Sequence, residues 1–507
     1  MTVSSIHKNR LKTYCKRILK TSLVAVIVFA AILLVHACNA RGLDDLCIWH
    51  KVRLSHEFDS DQYSPSMTFE AYQQLEARLF DELDNKILAN VGALDQDRYN
   101  RYARSSLSCP GRFTQNWNRS FEMIPSQING GILLIHGLTD SPYSMRSVAQ
   151  VFYENGFYVL VLRMPGHGTV PAALTTVSWR DWLAAACVGV RHVRQQIGPD
   201  RPFFLGGYSN GGAVSLLYTL RSLNHTAFDR PDCLILLSPA LAVSKNARLA
   251  QWLKLPSVLP YFEKSKWQSV GPEYDPFKYN SFPMNGAEQS HKLSKQIQTL
   301  LRKSYVDGRL AAMPPVMTFQ SIVDATVIAK TILEELYDRL SPGGHELVIF
   351  DTNHNAFMKN YIKTPPLRLA LEARWPKRLS YRLTLITNAS HDSNSVVAKT
   401  KGENEEFVTD VILRQDWPEG VYSLSHVALP FPVDDPLYGL ETSNASTNHI
   451  QLGRVTLRGE KGGLRISERA LLRLRCNPFW EYIRRHLHDL ILESIRDKGF
   501  SMDSSSG

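Results

Sequence analysis

The fold of this chain is decided by the stretch Phe203-Phe204-Leu205-Gly206-Gly207-Tyr208-Ser209-Asn210-Gly211-Gly212-Ala213-Val214. An apolar run of strand length ends at two glycines, Ser209 stands between Gly207 and Gly211, and a helical pattern follows at once. This Gly-x-Ser-x-Gly pattern predicts a tight turn that strains the serine backbone and brings the adjoining strand and helix too close for larger flanking residues. The hydroxyl would then stand beside a helix N-terminus, whose free N–H groups can bind an oxyanion. We therefore predict that Ser209 is a nucleophile, with a plain glycine-rich loop as the alternative.

The size and charge of the chain limit the classes of function. Its 507 residues, 44% of them hydrophobic, suffice for one large α/β domain with additions or for two domains. The net charge of +10 is concentrated in a basic leader, residues 1–20. The leader's cations are Lys8, Arg10, Lys12, Lys16, Arg17 and Lys20. Zinc-finger spacing and an aromatic-basic stripe are both lacking, so the sequence predicts no nucleic-acid partner. The chemistry predicted for Ser209 implies neither a metal nor an organic cofactor.

Residues 21–40 have the composition of a membrane span. They contain no Asp, Glu, Lys or Arg, and Leu23 to Val35 is wholly apolar. Twenty helical residues reach roughly 30 Å, which is the thickness of a bilayer core. The preceding cations predict a cytoplasmic N-terminus and export of the remainder to the extracytoplasmic, periplasmic side.

Three fates of this segment share that topology. It stays as a single-pass signal anchor, it is cut near Ala40, or Cys38 accepts a lipid. Val35-His36-Ala37-Cys38 only loosely resembles a lipobox, because His36 stands where a small or aliphatic residue is preferred. The long leader favours the uncleaved anchor.

Amphipathic stretches flank the central part of the chain. In the N-terminal extension, residues 41–127, apolar residues recur at three- and four-residue steps between Ser64 and Arg104, which predicts a pair of helices. In the C-terminal extension, residues 440–507, Ser467 to Asp497 predicts a second helix pair with a basic face. Neither extension shows a catalytic motif.

Between the extensions, short apolar runs alternate with helical patterns. Gly131 to Ile135 and Phe157 to Leu162 are continuous apolar runs, as expected of strands that are covered on both faces. A helix beginning at about Trp179 leads to the Ser209 stretch. This alternation predicts an α/β fold with a doubly wound, mostly parallel sheet.

Three motifs in this order are similar to those of the α/β-hydrolase superfamily. They are the run His136 to Met145, the loop Pro165-Gly166-His167-Gly168, and Gly207-Tyr208-Ser209-Asn210-Gly211-Gly212. The resemblance is closest to the branch of bacterial carboxylesterases, monoacylglycerol lipases, lysophospholipases and serine aminopeptidases. It implies a hydrolase domain over residues 128–439, with a cap inserted at about 240–313, where many aromatic residues suggest an apolar lid.

The resemblance also implies roles for individual residues. The backbone N–H groups of Leu138 and Asn210 would form the oxyanion hole, and His136 and His167 would be structural. Asp324, at the end of a predicted strand from Pro315, would be the acid that orients a catalytic histidine. Considered alone, Asp324 would more simply be a helix N-cap.

Two histidines compete for the role of general base. His354 follows the predicted strand Glu346 to Phe350 at the separation from Asp324 that a minimal hydrolase would show. His426 lies in Ser423-Leu424-Ser425-His426-Val427-Ala428, which is more similar to the histidine loop of bacterial carboxylesterases. Choosing His426 requires an insertion of about seventy residues, whose closure costs on the order of 1 kcal/mol. We expect His426 to be the base and keep His354 as the alternative.

The resemblance implies hydrolysis of a carboxylic ester, of lipid-derived type such as a monoacylglycerol or a lysophospholipid, through an acyl-enzyme on Ser209. An aminopeptidase or amidase is the second interpretation, and it requires a carboxylate that binds a free amine, from Glu263, Glu273 or Asp275. The third is a non-catalytic, membrane-tethered binding module with the hydrolase shape. The sequence leaves the oligomeric state open.

Overall fold

A computed structural model provides the structure of this protein. It describes residues 3–242, 250–324, 326–355, 360–361, 363–440, 448–453, 455 and 467–499. Parts of the predicted cap and of the C-terminal extension, and the last residues of the chain, lie outside the described residues.

Within these residues, a ten-stranded sheet forms the centre of the molecule. The first five of its strands are β1 (Phe121–Met123), β2 (Gly130–Ile135), β3 (Phe157–Leu162), β4 (Phe203–Tyr208) and β5 (Cys233–Leu237). A separate ribbon consists of β6 (Trp267–Ser269) and β7 (Phe282–Pro283). The remaining strands of the large sheet are β8 (Val316–Ser321), β9 (Glu346–Phe350), β10 (Arg382–Asn388), β11 (Ser395–Lys401) and β12 (Val408–Asp416).

The strand order is β1-β3-β2-β4-β5-β8-β9-β10-β11-β12. The seven strands from β3 to β10 in this order are parallel to their neighbours, whereas β1, β11 and β12 pair antiparallel at the two edges. The predicted mostly parallel α/β sheet is confirmed. Because parallel strands end at the same edge, the loops after β2, β4, β8 and β9 meet on one side of the sheet.

Helices cover both faces of this sheet. The longer ones are α1 (Val3–Ala40), α3 (Phe69–Lys86), α4 (Arg146–Glu154), α5 (Trp179–Ile197), α6 (Asn210–Ser222), α8 (Met284–Val306) and α11 (Trp480–Asp497). The short ones are α2 (Ile48–Lys51), α7 (Ala250–Leu253), α9 (Pro366–Glu372) and α10 (Glu468–Leu471). Along β2, Leu133 faces a core that contains residues of α5, α6 and α8, and Leu134 faces a core that contains residues of α4 and α11. Both residues are fully buried, as the continuous apolar run predicts.

The two predicted helix pairs form only in part. In the N-terminal extension α3 is the expected amphipathic helix, but Leu88–Asn90 and Ala93–Asp95 are isolated 3-10 turns. Gly92 and the acidic residues around it interrupt the apolar period there. In the C-terminal extension, α10 is a single turn and only α11 is a long helix.

A buried arginine ties the N-terminal extension to the sheet. Arg163, directly after β3, pairs with Glu57 at 2.9 Å and lies 3.6 Å from Glu76 of α3. Burial alone would lower the pKa of Arg163, but the two carboxylates and Tyr72 outweigh it and raise that pKa above its ordinary value. Since breaking a buried ion pair typically costs about 3 to 5 kcal/mol, the extension is held firmly against the domain.

The N-terminal helix α1 stands apart from these layers over most of its length. Its segment Tyr14–Ala40 is, among the described residues, the one helix that is long and apolar enough to cross a membrane. Its C-terminal part contacts the protein, where Phe29 packs against Trp252 and, nearer the end of the helix, Ala37 and Ala40 are buried.

Candidate active site

Ser209 sits at a sharp turn between β4 and α6. Its backbone has φ 54° and ψ −115°, a conformation that non-glycine residues rarely adopt and that costs on the order of 1 to 3 kcal/mol. The Ser209 amide donates to the Leu237 carbonyl at 2.8 Å, and the Ser209 carbonyl accepts from the Ala240 amide at 3.0 Å. These bonds to the loop after β5 hold the turn in its strained form.

The two glycines of the motif are required by space. A Cβ on Gly207 would lie 2.4 Å from the backbone carbon of Gly211. A Cβ on Gly211 would lie 2.1 Å from the carbonyl oxygen of Ile135, at the end of β2. Both distances are far below contact, so the predicted close approach of strand, turn and helix is confirmed.

His426 and Asp324 are joined directly. His426 Nδ1 lies 2.6 Å from Asp324 Oδ2, and both side chains are almost completely buried. The other carboxylate oxygen, Oδ1, accepts from the backbone amides of Thr326 at 2.8 Å and Val327 at 3.0 Å. Asp324 is therefore both a turn-forming residue and the partner of a histidine.

The loop that carries His426 is fixed against the sheet edge. The Ser321 hydroxyl, at the end of β8, donates to the Leu424 carbonyl at 2.7 Å. The hydroxyl of Tyr208 donates to the His426 carbonyl at 3.4 Å, and the two rings lie 5.2 Å apart. The C-terminal ends of β8 and β4, which lead to Asp324 and Ser209, therefore also hold the loop that positions the imidazole of His426.

The Asp324 carboxylate keeps its charge. Burial alone would raise the pKa of Asp324, but the charge and hydrogen bond of His426 and the two backbone amides outweigh it, so that this pKa lies below its ordinary value. An ionised Asp324 accepts the Nδ1 proton of His426. The ring therefore presents an unprotonated Nε2 when it is neutral.

One cavity of about 580 Å³ brings the remaining parts together. It is lined by Leu138, Ser209, Asn210 and His426. Among the described residues, no hydrogen bond joins the Ser209 hydroxyl to the His426 ring, although both line this cavity. Leu138 follows β2, and Asn210 is the first residue of α6. Among the described residues, the backbone amides of these two donate to no backbone carbonyl.

His136 and His167 are committed to loop structure. His136 Nε2 accepts from the Met164 amide at 3.0 Å, so Nδ1 carries the proton and donates to the Gly137 carbonyl at 2.9 Å. His167 Nδ1 lies 2.9 Å from the Pro165 carbonyl. Burial lowers the pKa of His136 well below its ordinary value and that of His167 to about 4. Both rings are neutral at pH 7, and the predicted structural role is confirmed.

The alternative base, His354, belongs to a different polar cluster. Its Nε2 lies 3.1 Å from Asp351 Oδ2, which also accepts from Arg368 and, at 2.8 Å, from the Thr387 hydroxyl. The histidine ring that contacts Asp324 is that of His426. The structure places His354 after β9, outside the lining of the cavity that contains Ser209.

The three carboxylates expected of an aminopeptidase lie elsewhere. Glu263 pairs with Lys266 at 2.8 Å, and Glu273 is buried, where it accepts from the amides of Asn280 and Ser281. Asp275 lines a small side cavity next to the site, accepts from the Tyr438 hydroxyl at 2.7 Å, and has its pKa raised by burial. None of the three lines the cavity around Ser209.

Two cations in this cavity are additional to the sequence prediction. Lys278 pairs with Asp140 at 2.8 Å, and the exposed Arg473 donates to the Thr326 hydroxyl at 3.5 Å. Both side chains also line the side cavity of about 230 Å³. Asp140 lies within the run His136 to Met145, but no pattern in the sequence around Lys278 or Arg473 indicated that they line the site.

The family comparison agrees with this arrangement. Residues 126–336 match the family model described as serine aminopeptidase, S33. This region is an α/β-hydrolase domain. The match includes Leu138, Ser209, Asn210 and Asp324, whereas His426 lies beyond its end. Only the structure therefore connects His426 with the rest of the site.

One curated relative and several solved structures are similar to the α/β-hydrolase domain. The thermostable monoacylglycerol lipase of Bacillus sp. (strain H-257) is 34% identical over 86 residues, 17% of this chain and 33% of the relative. The chain thus matches about a third of that relative's length.

Among solved structures, the monoglyceride lipase of Saccharomyces cerevisiae is 14% identical, with a TM-score of 0.35 over 46% of this chain and 82% of the other. Est1E from Butyrivibrio proteoclasticus with bound ferulic acid is 17% identical, with a TM-score of 0.33 over 46% of this chain and 85% of the other. The assignment of the α/β-hydrolase domain rests on the family match and on the sheet, not on these two likenesses.

Proposed function

We propose that this protein is a serine hydrolase that cleaves carboxylic esters of lipid-derived type through an acyl-enzyme on Ser209. The observation that carries the proposal is the bond between His426 and Asp324 beside the cavity that Ser209, Leu138 and Asn210 also line. Nucleophile, base, orienting acid and two unpaired N–H donors are the parts that acyl transfer requires.

In the proposed reaction, His426 Nε2 removes the hydroxyl proton of Ser209 while the Ser209 oxygen attacks the ester carbonyl carbon. The negative charge that develops on the carbonyl oxygen is bound by the amides of Leu138 and Asn210, each worth ~3 kcal/mol in the transition state. The C–O bond to the alcohol breaks, and His426 gives its proton to the leaving oxygen. Water then repeats these steps on the acyl-enzyme and releases the acid.

The site favours esters over peptides. An aminopeptidase holds a free amine, but Asp140 is neutralised by Lys278, and the raised pKa of Asp275 weakens it as a permanent anion. Apolar side chains of the insertion, among them Leu253, Phe282 and Met284, line the cavity and suit an acyl chain. The similarity to the monoacylglycerol lipase of Bacillus sp. (strain H-257) supports the same substrate class.

The proposal includes a retained N-terminal anchor. The cations before α1 favour a cytoplasmic N-terminus and a periplasmic hydrolase domain. Burial of Ala37 and Ala40 against the protein supports retention of the helix over cleavage near Ala40. The side chain of Cys38, which lies between them in sequence, is exposed. We further propose that the functional domain extends over residues 128–439, because it must include His426.

A substrate panel tests this function. Full-length protein in mild detergent is offered p-nitrophenyl esters of increasing chain length and aminoacyl p-nitroanilides, with Ser209→Ala as the matched control. We expect hydrolysis of the esters, a preference for the longer chains, and no turnover by the variant. Faster cleavage of the anilides would indicate the aminopeptidase, and turnover by Ser209→Ala would reject the proposed nucleophile.

A further inference from the structure

The insertion between β5 and β8 contacts the helix α1 directly. The ring of Trp252 packs edge-on against Phe29 with centroids 5.6 Å apart. Nearer the end of the helix, His36 Nε2 lies 3.4 Å from the Ser265 carbonyl. The guanidinium of Arg41, just past the helix, lies 4.1 Å above the Tyr261 ring. Residues of the segment 252–265 therefore contact α1 from Phe29 to just past its C-terminal end.

These contacts define how deep the insertion would lie in a membrane that α1 spans. Arg41 and the Lys264–Asp45 ion pair place charged groups at the level where the helix ends. Phe29 precedes Ala40 by about three turns, which is ~16 Å along the axis. A hydrocarbon core is about 30 Å thick, so Trp252 lies beside the part of α1 that would be deep in the outer leaflet.

The segment from Trp252 to Tyr261, which extends from the depth of Phe29 to the level of Arg41, has the composition of a lipid-facing surface. Large apolar or aromatic side chains are exposed on it, namely Trp252, Leu255, Val258, Leu259 and Tyr261. Among residues 250–262, the one charged side chain is Lys254, which pairs with Glu288 at 2.7 Å. A contiguous patch of exposed apolar side chains on a protein surface marks an interaction site.

The opposite side of the same segment faces the proposed catalytic cavity. Ala250 and Leu253, in the single turn α7, line the cavity that contains Ser209. Trp252, between them in sequence, faces α1. One turn of helix thus separates the proposed catalytic cavity from the membrane-spanning helix.

We propose that residues 250–262 are embedded in the leaflet beside α1 and form the entrance through which the acyl chain of a bilayer lipid reaches Ser209. The occupant of this surface is the hydrocarbon of the bilayer, because the patch is continuous with a helix of membrane-spanning composition and lacks an unpaired charge. This inference rests on the anchor and the ester hydrolysis proposed above. It adds that the substrate comes laterally from the membrane.

A depth measurement tests the position independently of catalysis. Val258→Cys in a Cys15→Ser, Cys38→Ser background carries an environment-sensitive fluorophore, and the protein is placed in phosphatidylcholine vesicles with nitroxide-labelled acyl chains. Val306→Cys at the far end of α8 is the matched control, since Val258 and Val306 are 83% and 82% exposed. The background without either cysteine is the blank.

We expect a blue-shifted emission that acyl-chain nitroxides quench at position 258, and neither effect at position 306. Equal, water-like emission at both positions would overturn the inference. So would shielding at position 258 that depends on protein concentration and is insensitive to lipid nitroxide, because it would assign the surface to a second copy of the chain.

Rates of hydrolysis then test whether this segment forms the entrance for the acyl chain. Because a charged side chain is strongly disfavoured in the bilayer, Val258→Asp should lower hydrolysis of a long-chain monoacylglycerol in vesicles by about tenfold or more. Hydrolysis of soluble p-nitrophenyl butyrate should be unchanged, and Val306→Asp should change neither rate. Equal vesicle rates for Val258→Asp and wild type would refute the entrance. Lack of turnover of both substrates by the wild type would instead refute the proposed function and leave the depth result standing.

Discussion

His426 Nδ1 lies 2.6 Å from Asp324 Oδ2, although 102 residues separate the two in the chain. Strands β9 to β12 lie between them in sequence, so the imidazole returns to the sheet edge only after the sheet has been extended by three further strands beyond β9. The bond occupies Nδ1 and leaves Nε2 to accept a proton. Among the described histidines, His426 is the one that combines a carboxylate partner with a place in the lining of the cavity that contains Ser209.

Replacing the two candidate bases should have very different effects. We expect His426→Ala to lower kcat for a p-nitrophenyl ester by about 10⁴-fold or more, because the nucleophile loses its base. His354→Ala should retain most of the activity per folded molecule, since His354 contacts Asp351 and Arg368 rather than the cavity. Thermal unfolding of both variants controls for misfolding. The reverse order of activities would contradict the assignment.

The turn at Ser209 should not tolerate a methyl group. Gly211→Ala would place its Cβ 2.1 Å from the Ile135 carbonyl oxygen, so the turn must shift and we expect at least a hundredfold loss of esterase activity. Gly271→Ala is the matched control, because a Cβ there meets no atom within 4 Å. An active Gly211→Ala enzyme would show that the strained turn is not needed.

The buried Asp351 should make stability depend on pH. Burial alone would raise the pKa of Asp351, but His354 and Arg368 outweigh it and hold that pKa below its ordinary value. A carboxylate with a lowered pKa stabilises the fold above the unfolded pKa, and this stabilisation is lost as the pH falls through the folded value. At pH 7 we expect Asp351→Asn to lower the free energy of unfolding by about 3 kcal/mol.

Below about pH 4 the difference between Asp351→Asn and wild type should narrow, because the protonated aspartic acid is also uncharged. Thermal unfolding at pH 7 and pH 3.5 measures both values. Asp338→Asn is the control, since Asp338 pairs with Arg374 at the surface and such pairs contribute little. A pH-independent difference would show that Asp351 does not titrate as argued.

Arg473 should favour substrates with a negative head group. It is exposed and lines the proposed catalytic cavity, and among the described residues its one hydrogen-bond partner is the uncharged Thr326. An added anion nearby gains on the order of 1 kcal/mol, so Arg473→Gln should raise KM for a lysophospholipid about fivefold and leave a neutral monoacylglycerol unaffected. Arg469→Gln, on the same segment but outside the cavity lining, is the control. An equal effect on both substrates would reject charge recognition.

The sequence predicted the parts of the molecule that depend on local patterns. The runs Gly131 to Ile135 and Phe157 to Leu162 are strands because continuous apolar residues require cover on both faces, and the glycines around Ser209 report a spatial constraint that any sequence must obey. These features predict the position of Ser209, whereas the roles of Leu138 and Asn210 were predicted from the resemblance to the α/β-hydrolase superfamily.

Features that depend on distant contacts were harder to predict. His354 and His426 both follow strands and both bond to an aspartate, so the choice between them required knowing which aspartate each meets in space. The second helix of the N-terminal pair was wrongly predicted, because Gly92 and the acidic residues after it interrupt the apolar period and the backbone forms 3-10 turns there. The contact between Trp252 and Phe29 joins residues that no local pattern relates.

The central claim is that Ser209 is a nucleophile activated by His426 and Asp324. Its most direct test is the reaction of the full-length protein with a fluorophosphonate, followed by mass spectrometry of the labelled peptide. The account predicts one label on Ser209 in the wild type, labelling at least a hundredfold slower in His426→Ala, and none in Ser209→Ala. A folded wild type that stays unlabelled, or a His426→Ala variant that reacts as fast as wild type, would contradict it.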